Sequence, residues 1–252
     1  SQLHGLFFPS SRALCLMAPD PGHYWYEPQD QPAACTDQPA LTEPNWYFGT
    51  NGFDDAKKRK QENVIAARSL RLDLDAGAKK LAKHGPKKVY ATQKDALAAT
   101  IDFIKWSSLV PTMIVSSGEG LHLYYCLPHD FASVAQWQEY AAKLEQLALT
   151  FGLKADSTVT KDSCRVLRPV GALHSNGKHI SVLKQFPQIT LEGFDKAYAA
   201  RESELVAPVA LPAAAKVRRS INADIMAPAI EVPSSMAKAA EKCGFIKDAL
   251  AK

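Results

Sequence analysis

Alternation of apolar and polar residues marks the strands of this chain. Every second residue of the segment 70–74 is leucine, and this period of two predicts a strand that carries Asp73 and Asp75 on one face. Two apolar stretches at 112–116 and 121–127 are joined by four residues that include two glycines, which predicts a hairpin with a tight turn. Short apolar stretches predict further strands at 46–48, 166–167 and 179–183.

Helical periodicity appears in two longer segments. Thr92 is predicted to begin a helix, because apolar residues follow it at spacings of four and three between Leu97 and Ile104. Ser133 begins the sequence Ser-Val-Ala-Gln, a capping-box pattern that opens a second helix with apolar residues as far as Phe151. Strands and helices that follow one another in this way indicate a mixed α and β fold.

The composition excludes several classes of protein. With 252 residues, of which 46% are hydrophobic and 22% charged, the chain is long enough to form a globular core without disulfides. No apolar stretch approaches the roughly 20 residues that a membrane span needs, and the first residues do not resemble a signal peptide. We therefore expect a cytoplasmic protein with no membrane partner. The five cysteines are scattered without a Cys-x-x-Cys pair, so no disulfide framework or four-cysteine zinc site is predicted.

The net charge of +4 conceals an uneven distribution along the chain. Residues 1–44 carry one basic and five acidic side chains, whereas residues 51–105 carry thirteen basic and seven acidic ones. The segment 154–184 carries six basic and two acidic side chains. Because Lys and Arg dominate the affinity of proteins for phosphate backbones, this pattern favours a polyanionic partner such as nucleic acid. The alternative is that the lysine-rich run 57–60 is only a solvated loop.

The acidic pair on the first long strand is a candidate metal site. Asp73 and Asp75 are predicted to stand about 7 Å apart on one face, flanked by apolar residues. Oxygen ligands in this arrangement suit hard divalent cations, and two buried carboxylates are costly unless a positive charge neutralises them. The alternative is a strand that merely exposes its polar residues to solvent.

The predicted hairpin is a candidate phosphate site. Its turn follows Ser116 and Ser117, contains Gly118, and is followed by His122 on the strand face that also carries Tyr124. Backbone N–H groups and hydroxyls of such a turn can bind phosphate oxygens, with the imidazole as an additional donor. The alternative is an ordinary turn with a histidine that is satisfied within the core.

A third segment, 156–178, combines acidic and basic side chains. Arg165 and Arg168 are separated by two apolar residues, so a continuous strand would direct them to opposite faces, and a bend at Pro169 or a bulge is needed to bring both to one ligand. The alternative is that the two arginines simply form ion pairs with Asp156 and Asp162.

These three segments, in this order and spacing, resemble the archaeo-eukaryotic primase (AEP) superfamily, especially the primase-polymerases of phages and plasmids. The resemblance covers roughly residues 46–184. It implies an α/β (α+β) fold with an RRM-like antiparallel sheet backed by helices and an N-terminal α/β part. It also implies that Asp73, Asp75 and Asp156 hold two Mg²⁺ or Mn²⁺ ions, with Asp162 as the competing candidate for the third ligand. The residues implied to bind the nucleotide are Ser116, Ser117, Gly118, His122, Arg165, Arg168, His174 and Lys178.

By this resemblance the chain synthesises and extends primers on single-stranded DNA in the replication of a phage, plasmid or mobile element. The implied partners are a template strand, a primer strand, NTP or dNTP, and a replicative helicase domain or protein. The expected domains are a catalytic domain at 1–204 and a Pro- and Ala-rich linker with a short helical tail at 205–252. Two other functions are weighed: a single-stranded DNA replication-initiator nuclease that would use Tyr124 or Tyr125, and a non-catalytic nucleic-acid-binding module.

Overall fold

The computed structural model describes residues 14–17, 23–26, 44–54 and 58–206. The expected linker and tail at 205–252 lie outside the described residues from position 207 onward, and so does Lys57 of the lysine-rich run. Within these ranges, the structure contains no helix with the length and hydropathy that a membrane span requires.

Strands and helices are numbered in chain order within the described residues. The strands are β1 (Leu14–Met17), β2 (His23–Tyr26), β3 (Tyr47–Gly49), β4 (Gly52–Phe53), β5 (Val64–Ala66), β6 (Ser69–Leu74), β7 (Met113–Ser116), β8 (Leu121–Cys126), β9 (Val166–Leu167) and β10 (Ser181–Gln185). The α-helices are α1 (Ala78–His84), α2 (Gln93–Ser107), α3 (Val134–Phe151), α4 (Ser157–Thr160) and α5 (Leu191–Ala199). Two 3₁₀ turns lie at Gln61–Asn63 and Glu202–Glu204.

The central sheet is antiparallel and has the strand order β10-β7-β8-β6. Strand β8 lies between β6 and β7 and is antiparallel to both, so β6 and β7 run in the same direction without touching. The chain between them passes through α1 and α2. This is a split β-α-β arrangement, in which a crossover leaves a gap that a third strand fills.

Helices cover one face of the central sheet. Leu70, Leu72 and Leu74 of β6 are at most 1% exposed and pack with side chains from α2, α3 and α5, such as Phe103, Trp137 and Phe194. Because side chains alternate between the two faces of a strand, burying these leucines under the helices directs Asp73 to the opposite face. The register of β6 therefore determines where the acidic residues lie.

A second sheet, with the order β2-β1-β3-β9, packs against the opposite face of the central sheet. Phe48 of β3 and Leu167 of β9 share a core with Val115 of β7 and Tyr124 of β8. The strands β4 and β5 form a separate hairpin. The face of β6 that carries Asp73 is thus brought to the place where the two sheets meet.

The structure confirms the predicted α+β fold with an antiparallel sheet backed by helices. Thr92 caps α2 with a complete capping box, in which its hydroxyl accepts from the Asp95 amide and the Asp95 carboxylate accepts from the Thr92 amide. The capping box at Ser133 is incomplete, because the side-chain oxygen of Gln136 accepts from the Ala132 amide and not from the Ser133 amide. The sequence patterns did not predict three helices, α1, α4 and α5.

Candidate functional site

Two aspartates lie at the end of strand β6, next to the start of β8. Asp73 is opposite His122 in the register, and its Oδ1 atom lies 3.7 Å from the imidazole Nε2. Asp75 follows the strand, and its Oδ1 accepts a hydrogen bond from the ammonium of Lys80 on α1. The strand therefore carries Asp73 alone, whereas the expected position of Asp75 on the same strand is wrong because β6 ends at Leu74. Each carboxylate contacts a nitrogen-bearing side chain.

The third aspartate is attached to this strand through the backbone. The Asp156 amide donates to the Asp73 carbonyl oxygen at 2.9 Å, and Ala155 forms a β-bridge with Leu74. The Asp156 carboxylate caps α4, because its Oδ1 accepts from the amide of Thr158 at 2.9 Å and from its hydroxyl at 2.7 Å. This pairing along the outer edge of β6 brings Asp156 next to Asp73.

The competing candidate, Asp162, has local partners of its own. Its Oδ1 accepts from the Cys164 amide at 3.1 Å, and its Oδ2 lies 4.0 Å from Nη1 of Arg165. Its carbonyl oxygen accepts from the buried guanidinium of Arg71. Asp162 therefore stabilises the loop that leads to Arg165, whereas Asp156 lies beside the acidic pair.

The carboxylates influence one another electrostatically. The pKa of Asp73 is raised to about 7, first by burial and then by the negative charges of Asp75 and Asp156, while Lys80 and Arg165 act in the opposite direction. The Asp73 side chain is still 15% exposed, so ligands can reach it. A cation bound next to Asp73 would stabilise the ionised form of this carboxyl group.

In the part of the chain that the structure describes, no group of three His, Cys, Asp or Glu side chains is arranged to hold a metal ion. The three aspartates do not form such a group because the carboxylate of Asp75 binds Lys80 and that of Asp156 binds Thr158. The backbone brings the three residues together, and their side chains point to different partners.

The turn between β7 and β8 is compact and closely packed. The Ser117 amide donates to the Gly120 carbonyl at 3.0 Å, and Gly118 adopts φ +102°. A methyl group on Gly118 would lie 2.9 Å from the His174 ring, so this ring packs directly on the turn. His174 belongs to a loop in which its Nδ1 accepts from the Asn176 amide at 3.1 Å.

Ser116 faces the other side of the sheet. Its hydroxyl accepts at 2.8 Å from Nε2 of Gln93, the first residue of α2, and the same nitrogen donates to the Gly120 carbonyl at 2.8 Å. The structure thus separates Ser116 from the aspartates, while Ser117, Gly118 and His174 lie together. Gln93 was not predicted as a residue of the site. Its place directly after the helix cap Thr92 puts its side chain at the first turn of α2, and this position is the signal that could have identified it.

His122 is buried and neutral. Burial, followed by the positive charges of Lys80, Arg168 and Arg165, lowers its pKa to about 3. Its contact with Asp73 therefore involves a neutral imidazole and is not an ion pair. The Nδ1 atom lies 3.3 Å from the Tyr124 hydroxyl, so when that hydroxyl donates, Nε2 carries the hydrogen and faces Asp73.

Arg165 and Arg168, the two arginines of the third segment, both lower the pKa of His122 through their positive charge. Strand β9 contains only Val166 and Leu167, so Arg165 and Arg168 lie at its ends and outside a continuous extended strand. Arg168 donates to the Tyr47 hydroxyl at 2.9 Å, and its guanidinium lies 4.8 Å from the centre of the Tyr47 ring. Of the ion pairs that the alternative interpretation required, the described residues contain a 4.0 Å contact of Arg165 with Asp162.

Basic side chains extend outward from this region. Exposed lysines occupy α1 and the turn after it, at Lys79, Lys83, Lys87 and Lys88. Lys178 is exposed on the His174 loop. Two tryptophans of the described chain are packed, since Trp46 is 6% exposed and Trp106 packs on Phe103 and Phe151. Positive charge, more than exposed aromatic surface, characterises the surroundings of the site.

Comparison with known proteins gives a structural neighbour. No family model and no curated protein matches the chain. Among solved structures, the chain is similar to the AEP domain of the cyanophage S-2L primase-polymerase, with a TM-score of 0.50 and 17% sequence identity. The similarity covers 78% of this chain and 94% of that domain. It shows that the two chains share the fold.

Proposed function

We propose that this chain is a template-directed nucleotidyltransferase that synthesises primers and extends them on single-stranded DNA. One observation carries the proposal: Asp156 is bonded through its backbone to Asp73, so three aspartates from two distant segments meet beside a glycine turn and two arginines. Acidic and phosphate-binding groups at one place are what phosphoryl transfer requires. The shared fold with a primase-polymerase domain supports the same conclusion.

The residue types in this cluster fit divalent cations. Asp73, Asp75 and Asp156 offer only hard oxygen ligands, which suit Mg²⁺ and Mn²⁺. The pKa of Asp73 is raised first by burial and then by the charges of Asp75 and Asp156, so a bound cation would favour its ionised form. In the proposed enzyme these three residues would hold two ions, which activate the attacking hydroxyl and neutralise the leaving pyrophosphate.

The protein's own groups bind and orient the nucleotide in this proposal. The guanidinium groups of Arg165 and Arg168 provide planar donors for phosphate oxygens, and Tyr47 holds Arg168 in a fixed direction. The turn at Gly118 provides backbone N–H groups, with His174 packed against it. Neutral His122 faces Asp73 with its Nε2 hydrogen, so in this proposal it orients that carboxylate without repelling the arginines. The exposed lysines of α1 suit the phosphates of the template or primer strand.

The structure weighs against the nuclease alternative. Tyr124 and Tyr125 are 2% and 0% exposed, and the Tyr124 hydroxyl is engaged with His122. A tyrosine nucleophile must reach a DNA phosphate, and these hydroxyls are enclosed by the two cores. The non-catalytic alternative is supported by the divergent directions of the three carboxylates, and the following experiment distinguishes it.

The test compares Asp156→Asn with Asp162→Asn in the full chain. Labelled nucleotide incorporation is measured on a single-stranded DNA template, with and without a primer, in the presence of Mg²⁺ or Mn²⁺. We expect Asp156→Asn to reduce incorporation by about 100-fold or more because it removes a metal ligand, while Asp162→Asn retains most of the activity. Single-stranded DNA binding serves as the control and should be unchanged in both variants. A wild-type protein that binds DNA but incorporates no nucleotide would support the non-catalytic module.

A further inference from the structure

Lys80 is a basic residue placed directly on the acidic cluster. It lies on α1, five residues after Asp75, and its ammonium donates to the Asp75 carboxylate. The Lys80 side chain is 39% exposed and that of Asp75 is 25% exposed, so both can exchange partners with solvent ions. The other two lysines of this helix, Lys79 and Lys83, are exposed.

The charge of Lys80 reaches well beyond Asp75. It lowers the pKa values of Asp73, of His122 and of His174, three side chains that surround the end of β6. The Lys80 ammonium therefore contacts Asp75 directly, and its charge also affects Asp73, His122 and His174. Its position is that of a cation at the centre of the site.

The local backbone maintains this placement. Gly77 begins α1 with φ +103°, and a methyl group there would lie 2.9 Å from the Glu119 carboxylate of the β7–β8 turn. The close approach of these two turns holds the first turn of α1 beside β6. Lys80 is thus directed to Asp75 by the way the chain leaves the strand.

We propose that Lys80 is an internal counter-ion that competes with divalent cations for Asp75. The inference rests on the metal-binding part of the proposed function. The Lys80 ammonium occupies one oxygen of the Asp75 carboxylate, and its charge repels a metal ion that approaches either oxygen at short range. Lys80 therefore lowers the affinity of the site for the metal.

The experiment measures Mn²⁺ binding to the full chain without nucleotide, from the electron paramagnetic resonance signal of free Mn²⁺. We expect Lys80→Met to bind Mn²⁺ about tenfold more tightly than the wild type, since it removes both an ion pair and a repulsion. Lys80→Arg keeps the charge and should bind like the wild type. Lys79→Met, on the same helix, is the matched control and should change the affinity by less than about twofold.

The salt dependence distinguishes competition from a structural effect. The advantage of Lys80→Met should shrink as KCl is raised towards about 1 M, because screening weakens the effect of the ammonium. A structural effect of the methionine would persist at high salt. Thermal melting of each variant verifies that the protein is folded.

The outcomes separate this inference from the proposed function. If Asp73→Asn abolishes Mn²⁺ binding while Lys80→Met binds no more tightly than the wild type, the competition by Lys80 is refuted and the metal site stands. Weaker binding by Lys80→Met would also overturn it, because Lys80 would then orient Asp75 for the ion. If no Mn²⁺ binds to the wild type or to Lys80→Met at millimolar concentration, the metal site itself is wrong.

Discussion

Replacing Gly118 by alanine tests the packing of the His174 loop on the β7–β8 turn. Alanine at φ +102° costs about 1–2 kcal/mol, because the left-handed region is unfavourable for residues with a side chain. The new methyl group would lie 2.9 Å from two atoms of the His174 ring, and such overpacking costs about 1–3 kcal/mol. The ring cannot move freely, because its Nδ1 accepts from the Asn176 amide. We expect Gly118→Ala to lower the free energy of unfolding by about 2–5 kcal/mol.

The assay is equilibrium urea unfolding with a matched control and a double-mutant cycle. Gly152 has φ +82° at the end of α3, and a methyl group added there would meet no neighbouring atom within 4 Å, so Gly152→Ala measures the backbone cost alone. In the presence of His174→Ala, the cost of Gly118→Ala should fall towards that of Gly152→Ala, with a remainder from the His174 Cβ atom, which would still lie 3.1 Å from the new methyl group. Equal costs for the two glycine variants, or no coupling between Gly118 and His174, would refute the contact between the ring and the turn.

Two further predictions concern residues that support the site. Gln93→Ala should raise the KM for the nucleotide severalfold with little change in kcat, because it removes the hydrogen bonds to the Ser116 hydroxyl and to the Gly120 carbonyl. Gln93→Asn is too short to make both bonds and should have the same effect. An unchanged KM would contradict this role of Gln93. Trp137→Phe should lower the free energy of unfolding by about 1–2 kcal/mol in urea, because the indole N–H donates at 3.0 Å to the buried Ser69 carbonyl. An unfolding midpoint at the same urea concentration as the wild type would refute the stabilising role of this hydrogen bond.

The parts of the site that lie on regular strands could be predicted from the sequence. Alternation of leucine with polar residues predicted the strand and placed Asp73 on the face away from the leucines, and the structure buries Leu72 and its neighbours under the helices. The same reasoning correctly paired His122 with Tyr124 on one face of β8. The period-two pattern is informative at β6 because Leu70, Leu72 and Leu74 are all buried under the helices.

Other parts depend on contacts between segments that are distant in sequence. The link between Asp156 and Asp73 uses a backbone hydrogen bond, which any residue at position 156 except proline could form, so no side-chain pattern reveals it. Lys80 was overlooked because α1 has only seven residues and lies within a lysine-rich stretch, where one lysine resembles the next. Gln93 likewise acquires its role only when α2 packs beside the β7–β8 turn.

The charges of this region explain why its folding and its chemistry are connected. Arg71 is a fully buried residue of β6 and has a pKa lowered to about 10 by burial, so it remains charged at neutral pH. Its Nη2 donates to the Asp162 carbonyl, and its guanidinium lies 5.2 Å from the centre of the Trp137 ring. A buried charge of this kind is tolerated only where opposite charge or oriented dipoles compensate it. The loop that carries Arg165 is thereby attached to the strand that carries Asp73, so the groups proposed to bind phosphate and metal are held together by the same buried cation.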